Sequence, residues 1–183
     1  MKFKKSKAIA IKHKRWAVSI TIAAFLLSVL MSFFSDVLLD NAGIFTSFII
    51  LISIIMFGIV FDVVGVAVTV ADERPFHSMA SAKVKSASSS ILLIRNASKV
   101  SNFCNDVIGD ICGIISGTSA AFIIIKIQKD LPALDIAVLS VVLSGLIASM
   151  TIGGKAVGKE LAITYAKEIV TFAGRLMSIF ARK

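Results

Sequence analysis

Four apolar runs, each long enough to cross a bilayer as a helix, dominate this chain and leave few folds open to it. They are Trp16–Phe34, Ile44 to about Ala71, Asn102–Ile125 and Ala133–Ile152. A helix needs roughly 20 residues to span hydrocarbon. Hydrocarbon offers no water to bond backbone N–H and C=O groups, so a spanning segment must satisfy them within itself. The chain is 57% hydrophobic over 183 residues, above the roughly 45–50% usual for a soluble domain. The reading is an all-α integral membrane protein with four transmembrane helices.

Basic residues set the expected orientation. Seven of the twenty Lys and Arg precede the first run, five lie between the second and third, and six follow the fourth; only Lys126 and Lys129 fall in the other two loops. This is a strong positive-inside pattern. It places both termini in the cytoplasm of a cell that carries the protein in its inner or plasma membrane. The net charge of +9 is then matched by anionic lipid headgroups, and nucleic acid is not an expected partner. The basic start followed by an apolar run resembles a signal peptide. The run is long and no clear Ala-x-Ala site follows, so an uncleaved signal anchor is expected.

Against this background three acids stand out: Asp62 in the second run, and Asp106 and Asp110 in the third. A charge at mid-bilayer costs about 2.5–3.5 kcal/mol on insertion scales, so such residues face an interior and have a partner. Asn102, Asp106 and Asp110 are spaced i, i+4, i+8 and share one helix face, with Asn105 bordering it. Gly109, Gly113 and Gly117 mark a neighbouring face suited to close helix packing. Two carboxylates one turn apart in low dielectric need a proton or a cation. Oxygen ligands without His or Cys suit hard cations such as Mg²⁺. The expected metal ligands are therefore Asp62, Asp106, Asp110, Asn102 and Asn105, with all three acids able to share one cavity. The alternative is an internal ion pair with Lys155, just past the fourth run; Asp106 is the better-placed partner by depth.

The other polar features are weaker. Cys104 and Cys112 stand about 12 Å apart along a helix, too far for a disulfide, and read as apolar packers. His13 and His77 have no metal-ligand spacing. No nucleophile–base pair, Walker loop or zinc signature is present, so no enzyme and no organic cofactor are expected. The segment from 72 to 101 reads as short interfacial helices. The tail from 154 to 180 has helical period, with a narrow polar stripe through Glu160, Thr164, Lys167, Glu168, Thr171, Arg175 and Ser178. It is expected to pack along the inner ends of the spans. Gly153, Gly154 and Gly158 suggest a break or a close backbone approach at the end of the fourth run, with freed carbonyls as further ligands.

Two stretches resemble the transmembrane domain of the CNNM/CorC family of magnesium transporters. One is Ile91-Leu92-Leu93-Ile94-Arg95-Asn96-Ala97-Ser98-Lys99-Val100, leading into a helix with Gly109-Asp110. The other is Gly154-Lys155-Ala156-Val157-Gly158-Lys159-Glu160-Leu161-Ala162, continuing through Tyr165 to Ile169. Phe61 to Val68 is similar to the end of that family's first span. The likeness covers about 44–180, with the first helix as an addition. It implies three core spans, a cytoplasmic elbow, an amphipathic belt helix, a homodimer and magnesium transport. The departures are specific. Lys155 replaces a family acid, Gly158 a proline and Asp110 an asparagine. Gly65 stands where the family has an acid, and Asp62 where it has a serine. The nucleotide-binding CBS pair is missing. The expected function is divalent cation transport, with Lys155 as charge regulator. The rival is a non-transporting scaffold in which Lys155 and the aspartates form a structural ion-pair network.

Overall fold

Each of the four apolar runs forms a long helix in the computed structural model, which describes residues 2–132 and 135–180, with side chains from 18 to 132 and from 135 to 179. The start of the fourth run at Ala133 and the side chains of the basic N-terminal segment lie outside the described residues. The order is α1 (Lys2–Asp40), α2 (Ile44–Val70), α3 (Arg74–Ser81), α4 (Ala87–Arg95), α5 (Ala97–Ser101), a π-helical segment (Asn102–Gly109), α6 (Asp110–Asp130), α7 (Ile136–Thr164) and α8 (Ala166–Phe180). Among the described residues there is no strand. The stretches long and apolar enough to cross a membrane are Val18–Asp40, Ile44–Val70, Ala97–Asp130 and Ile136–Thr164.

Local chemistry explains the boundaries. Pro75 sits in the first turn of α3, where a missing N–H removes nothing from the helix. Asp135 caps α7 by accepting the Ala137 N–H at 2.8 Å, satisfying one of the free donors of its first turn. Lys83, at φ 59, ends α3 in the left-handed region. There the Val84 N–H bonds Met79 O and the Lys83 N–H bonds Ala80 O, the Schellman pattern usually built on glycine. Glu73 receives the Arg95 Nε–H at 2.7 Å. That hydrogen bond holds the Glu73 carboxyl below its usual range, against a partial opposing push from burial.

α2 is the central helix. Leu51, Ile55 and Ile59 pack with Ile123 and Ile124 of α6 and Leu143 and Ile147 of α7. Nearer the short helices, Ala67 and Val68 join Phe76, Ala162 and Val170 in a second cluster. α1 is peripheral and meets the third span through Ile20, Ala24 and Leu27 on Val107, Ile111 and Ile115. Lipid is as apolar as these side chains, so helix association within the bilayer rests on packing and polar contacts rather than on exclusion of water.

Close packing comes from glycines on α2 and α7. A Cβ on Gly154 would stand 2.3 Å from Ile59 Cδ1, and one on Gly158 would stand 2.7 Å from Val63 Cγ2. The helix does not break at these glycines, and α7 continues to Thr164. No carbonyls are freed there. The missing side chains are used for contact with α2, and the chain bends only at Tyr165, before α8.

Candidate functional site

The setting of α7 on α2 decides the partner of Lys155. With Gly154 and Gly158 against Ile59 and Val63, the residue beside Gly154 is turned toward the same stretch of α2, which carries Asp62. The Lys155 Nζ lies 3.9 Å from Asp62 Oδ1. The ammonium lies beside Gly109, 3.5 Å from where a Cβ would stand, an ordinary contact distance. Asp62 is 4% exposed. By depth alone Asp106 is the expected partner, but depth fixes only one coordinate. The rotation of α7, imposed by its glycines, fixes the other.

The pairing leaves polar capacity unused. At 3.9 Å the contact is an ion pair without a direct hydrogen bond. Asp62 Oδ2 is buried with no hydrogen-bond partner, and so is Asn105 Oδ1. Asn105 donates from Nδ2 to Ser101 Oγ at 3.3 Å, while its carbonyl end packs on the bare backbone of Gly65. A Cβ on Gly65 would stand 2.0 Å from Asn105 Oδ1. Asp62 and Gly65 are one turn apart on α2, so both orphan acceptors belong to the seam between α2 and the third span. A buried acceptor without a donor costs about 1–3 kcal/mol, and such groups in native proteins call for a water, a proton or an ion.

Asn105 sits within the π-helical segment Asn102–Gly109. π turns are rare and concentrate at functional sites. Asn102, Asp106 and Asp110 line a cavity of about 560 Å³ whose opposite wall is α1, with Ile20, Thr21, Ala24, Phe25 and Ser28. They share a face, as their spacing requires. Asp62 does not line that cavity. The three acids thus occupy two sides of the third span rather than one common cavity.

Asp106 and Asp110 are exposed in the chain taken alone, and among the described residues the recorded ion pairs are His77–Glu73, Arg95–Glu73 and Lys155–Asp62. Also among the described residues, no three His, Cys, Asp or Glu side chains converge in a ready-made metal cage. Cys104 and Cys112 are free and buried. A Cβ on Gly58 would stand 2.9 Å from Cys112 Cβ, which fits a packing role for that cysteine. Gly113 and Gly117 have nothing within 4 Å of where a Cβ would stand.

Sequence reasoning missed a second lysine. Lys126 of α6 donates to the carbonyls of Leu39, Asp40 (3.4 Å) and Ala42 (2.7 Å) at the C-terminal end of α1. A cation there answers the negative end of a helix dipole. With Lys129 and Asp130 within one turn of it, its sequence neighbourhood carried no signal of this contact. Ser35 of α1 and Ser119 of α6 add a buried hydroxyl contact at 3.2 Å.

No family model, no curated protein and no solved structure matches the chain.

Proposed function

We propose that this multi-pass membrane protein carries a hard cation, Mg²⁺ or one like it, across the plasma or inner membrane, and that Asn102, Asp106 and Asp110 supply the ligand oxygens. The observation that carries this reading is a pair of carboxylates on one helix face, without a basic partner among the described residues, inside a span that is otherwise apolar. Ionisable groups in such positions mark ion pathways by default. Mg²⁺ is commonly held by one or two carboxylates while keeping several waters, so an open crevice suits it better than a closed cage. Lys155 neutralises Asp62 and so acts as charge regulator on the opposite side of the span, with Asn105 beside it. The resemblance to the CNNM/CorC transmembrane domain supports transport, a homodimer, cytoplasmic termini, a cytoplasmic elbow of α3–α5 and a belt role for α8.

The test is divalent flux into proteoliposomes holding the full chain. Asp106→Asn and Asp110→Asn are each expected to lower flux at least tenfold at equal protein incorporation. Unchanged flux in both would sink the ligand assignment.

One observation favours a second reading, a non-transporting scaffold. The buried Asp62–Lys155 pair joins α2 to α7 and fixes their register, a role buried ion pairs serve in some proteins. On that reading the unmodified protein gives no flux above empty vesicles, and Asp106→Asn changes nothing measurable.

A further inference from the structure

Away from the spans, the turn joining α3 to α4 and the last part of α8 enclose a cavity of about 640 Å³ lined by Val84, Lys85, Ser86, Arg175, Ser178 and Ile179. Among the described residues, two cationic side chains line it and no carboxylate does. Ser86 is only 4% exposed, yet it makes no side-chain capping bond to α4, and among the described residues its hydroxyl has no hydrogen-bond partner. A residue this buried that lines the cavity with an uncommitted hydroxyl offers a donor to whatever enters it. Ser86 stands at the N-terminus of the nine-residue α4, where the helix dipole adds partial positive charge.

The cavity is held in shape. Gly174 lets α8 lie against α4, since a Cβ there would stand 2.1 Å from Ser90 Oγ and 2.9 Å from Ser90 N. Ser90 Oγ in turn donates to Val170 O at 3.1 Å. This places Arg175, the next residue, beside Ser86. On the other wall, Lys83 keeps a left-handed backbone that glycine would adopt more cheaply, and it turns Val84 and Lys85 to the cavity. Strain retained beside a cluster of unpaired charge points to use of that cluster.

We infer that this cavity binds the phosphate of an anionic phospholipid headgroup. Lys85 and Arg175 neutralise the phosphate, Ser86 donates to it, and Val84 and Ile179 receive the first carbons of the acyl chains. The apolar walls favour a lipid over free phosphate. So do Phe172, Leu176 and Ile179, which stand 46–64% exposed on α8 as they would on a helix lying in a bilayer surface. Basic pockets at the inner face of helical membrane proteins take anionic lipids in this way. The inference is independent of the transport reading, because none of these residues lies in a span.

The experiment uses the full chain purified in detergent, mixed with equal phosphatidylglycerol and phosphatidylcholine, and examined by native mass spectrometry for retained lipid. Wild type is expected to retain phosphatidylglycerol preferentially. Lys85→Gln with Arg175→Gln is expected to lower that retention roughly 25-fold, about fivefold for each charge near the surface, while Lys85→Arg keeps it. Lys159→Gln with Lys167→Gln removes equal charge elsewhere and is expected to leave retention within twofold. Equal loss in the two double variants would show charge without a site and overturn the inference. So would protection of the wild type against heat by inorganic phosphate as strongly as by phosphatidylglycerol. Should the first double variant fold poorly by circular dichroism, Lys85→Gln alone is titrated with phosphatidylglycerol in a thermal-shift assay, and an unshifted midpoint concentration overturns it equally.

Discussion

Replacing Lys155 by methionine removes the one cation among the described residues within ion-pair reach of Asp62 and keeps most of the side chain's volume against α2. The two charges lie 3.9 Å apart, which at an effective dielectric of 20 corresponds to about 4 kcal/mol. Breaking a buried pair from one side typically costs about 3–5 kcal/mol, because the remaining charge is left without compensation. The lysine side chain is 28% exposed, so solvent offsets part of this, and we expect a loss of about 3 kcal/mol. For a chain of this length that lowers the melting midpoint by roughly 6–12 °C. Asp62→Asn alone is expected to cost a similar amount, since it strands the ammonium. Combining the two removes both charges and is expected to return the midpoint to within roughly 4 °C of wild type, as when buried pairs are replaced by neutral residues of similar size. The assay is thermal unfolding in detergent, followed by the fraction that stays monodisperse. If the double variant loses the sum of the two single losses, Lys155 and Asp62 act independently and the reasoning fails.

Three further outcomes follow from the packing. Gly65→Ala drives a methyl into Asn105 Oδ1, with Asn105 Cγ only 2.9 Å away and Cys104 Cβ 3.2 Å away; a loss of about 1–3 kcal/mol is expected, read as a lower midpoint in the same melt, and restored by Asn105→Ala. Lys126→Met abandons three carbonyls at the end of α1, and a loss of about 2 kcal/mol is expected; faster proteolysis between 41 and 43 in detergent is the readout, and unchanged cleavage would argue against the clamp. Lys83→Gly relieves the left-handed residue at the end of α3 and is expected to stabilise by about 1 kcal/mol, raising the midpoint by roughly 2–4 °C.

Much of the architecture could be read from hydropathy, because a bilayer leaves helices as the only way for an isolated apolar run to satisfy its backbone. The common face of Asn102, Asp106 and Asp110 was likewise legible from spacing alone. What remained hidden depends on rotation and register between helices. Lys155 had two acids at comparable depth, and only the seating of Gly154 and Gly158 on Ile59 and Val63 chooses Asp62. The π turn at Asn102–Gly109 has no composition of its own that sets it apart from an ordinary helix. Lys126 looked like a loop charge because nothing in its neighbourhood says that the end of α1 lies beside it. The glycines after Ser149 were legible as a feature but not in their use: both a helix stop and a close contact ask for the smallest residue.

The division of the acids between two faces of the third span bears on which of them a cation would choose. Asp62 is already opposed by an ammonium, so the α2 seam carries little net charge and offers only two orphan oxygens, suited to a water or a proton. The other face carries two carboxylates and an amide, and a divalent ion gains most where negative charge is uncompensated. Its far wall is α1, which at this level presents Ile20, Thr21, Ala24, Phe25 and Ser28. α1 is clamped by Lys126 at its C-terminal end and tied by Ser35 to Ser119, both remote from Asp106 along the span. Beside the acids, Ile20, Ala24 and Leu27 of α1 pack on Val107, Ile111 and Ile115. On the proposed function, the ion passes between α1 and the third span. A disulfide between Cys substituted for Ala24 and for Ile111, whose side chains share one packed cluster, would close the crevice. It should stop flux while leaving the melting midpoint unchanged or higher; undiminished flux with the bond fully formed would show that the ion does not pass between α1 and the third span.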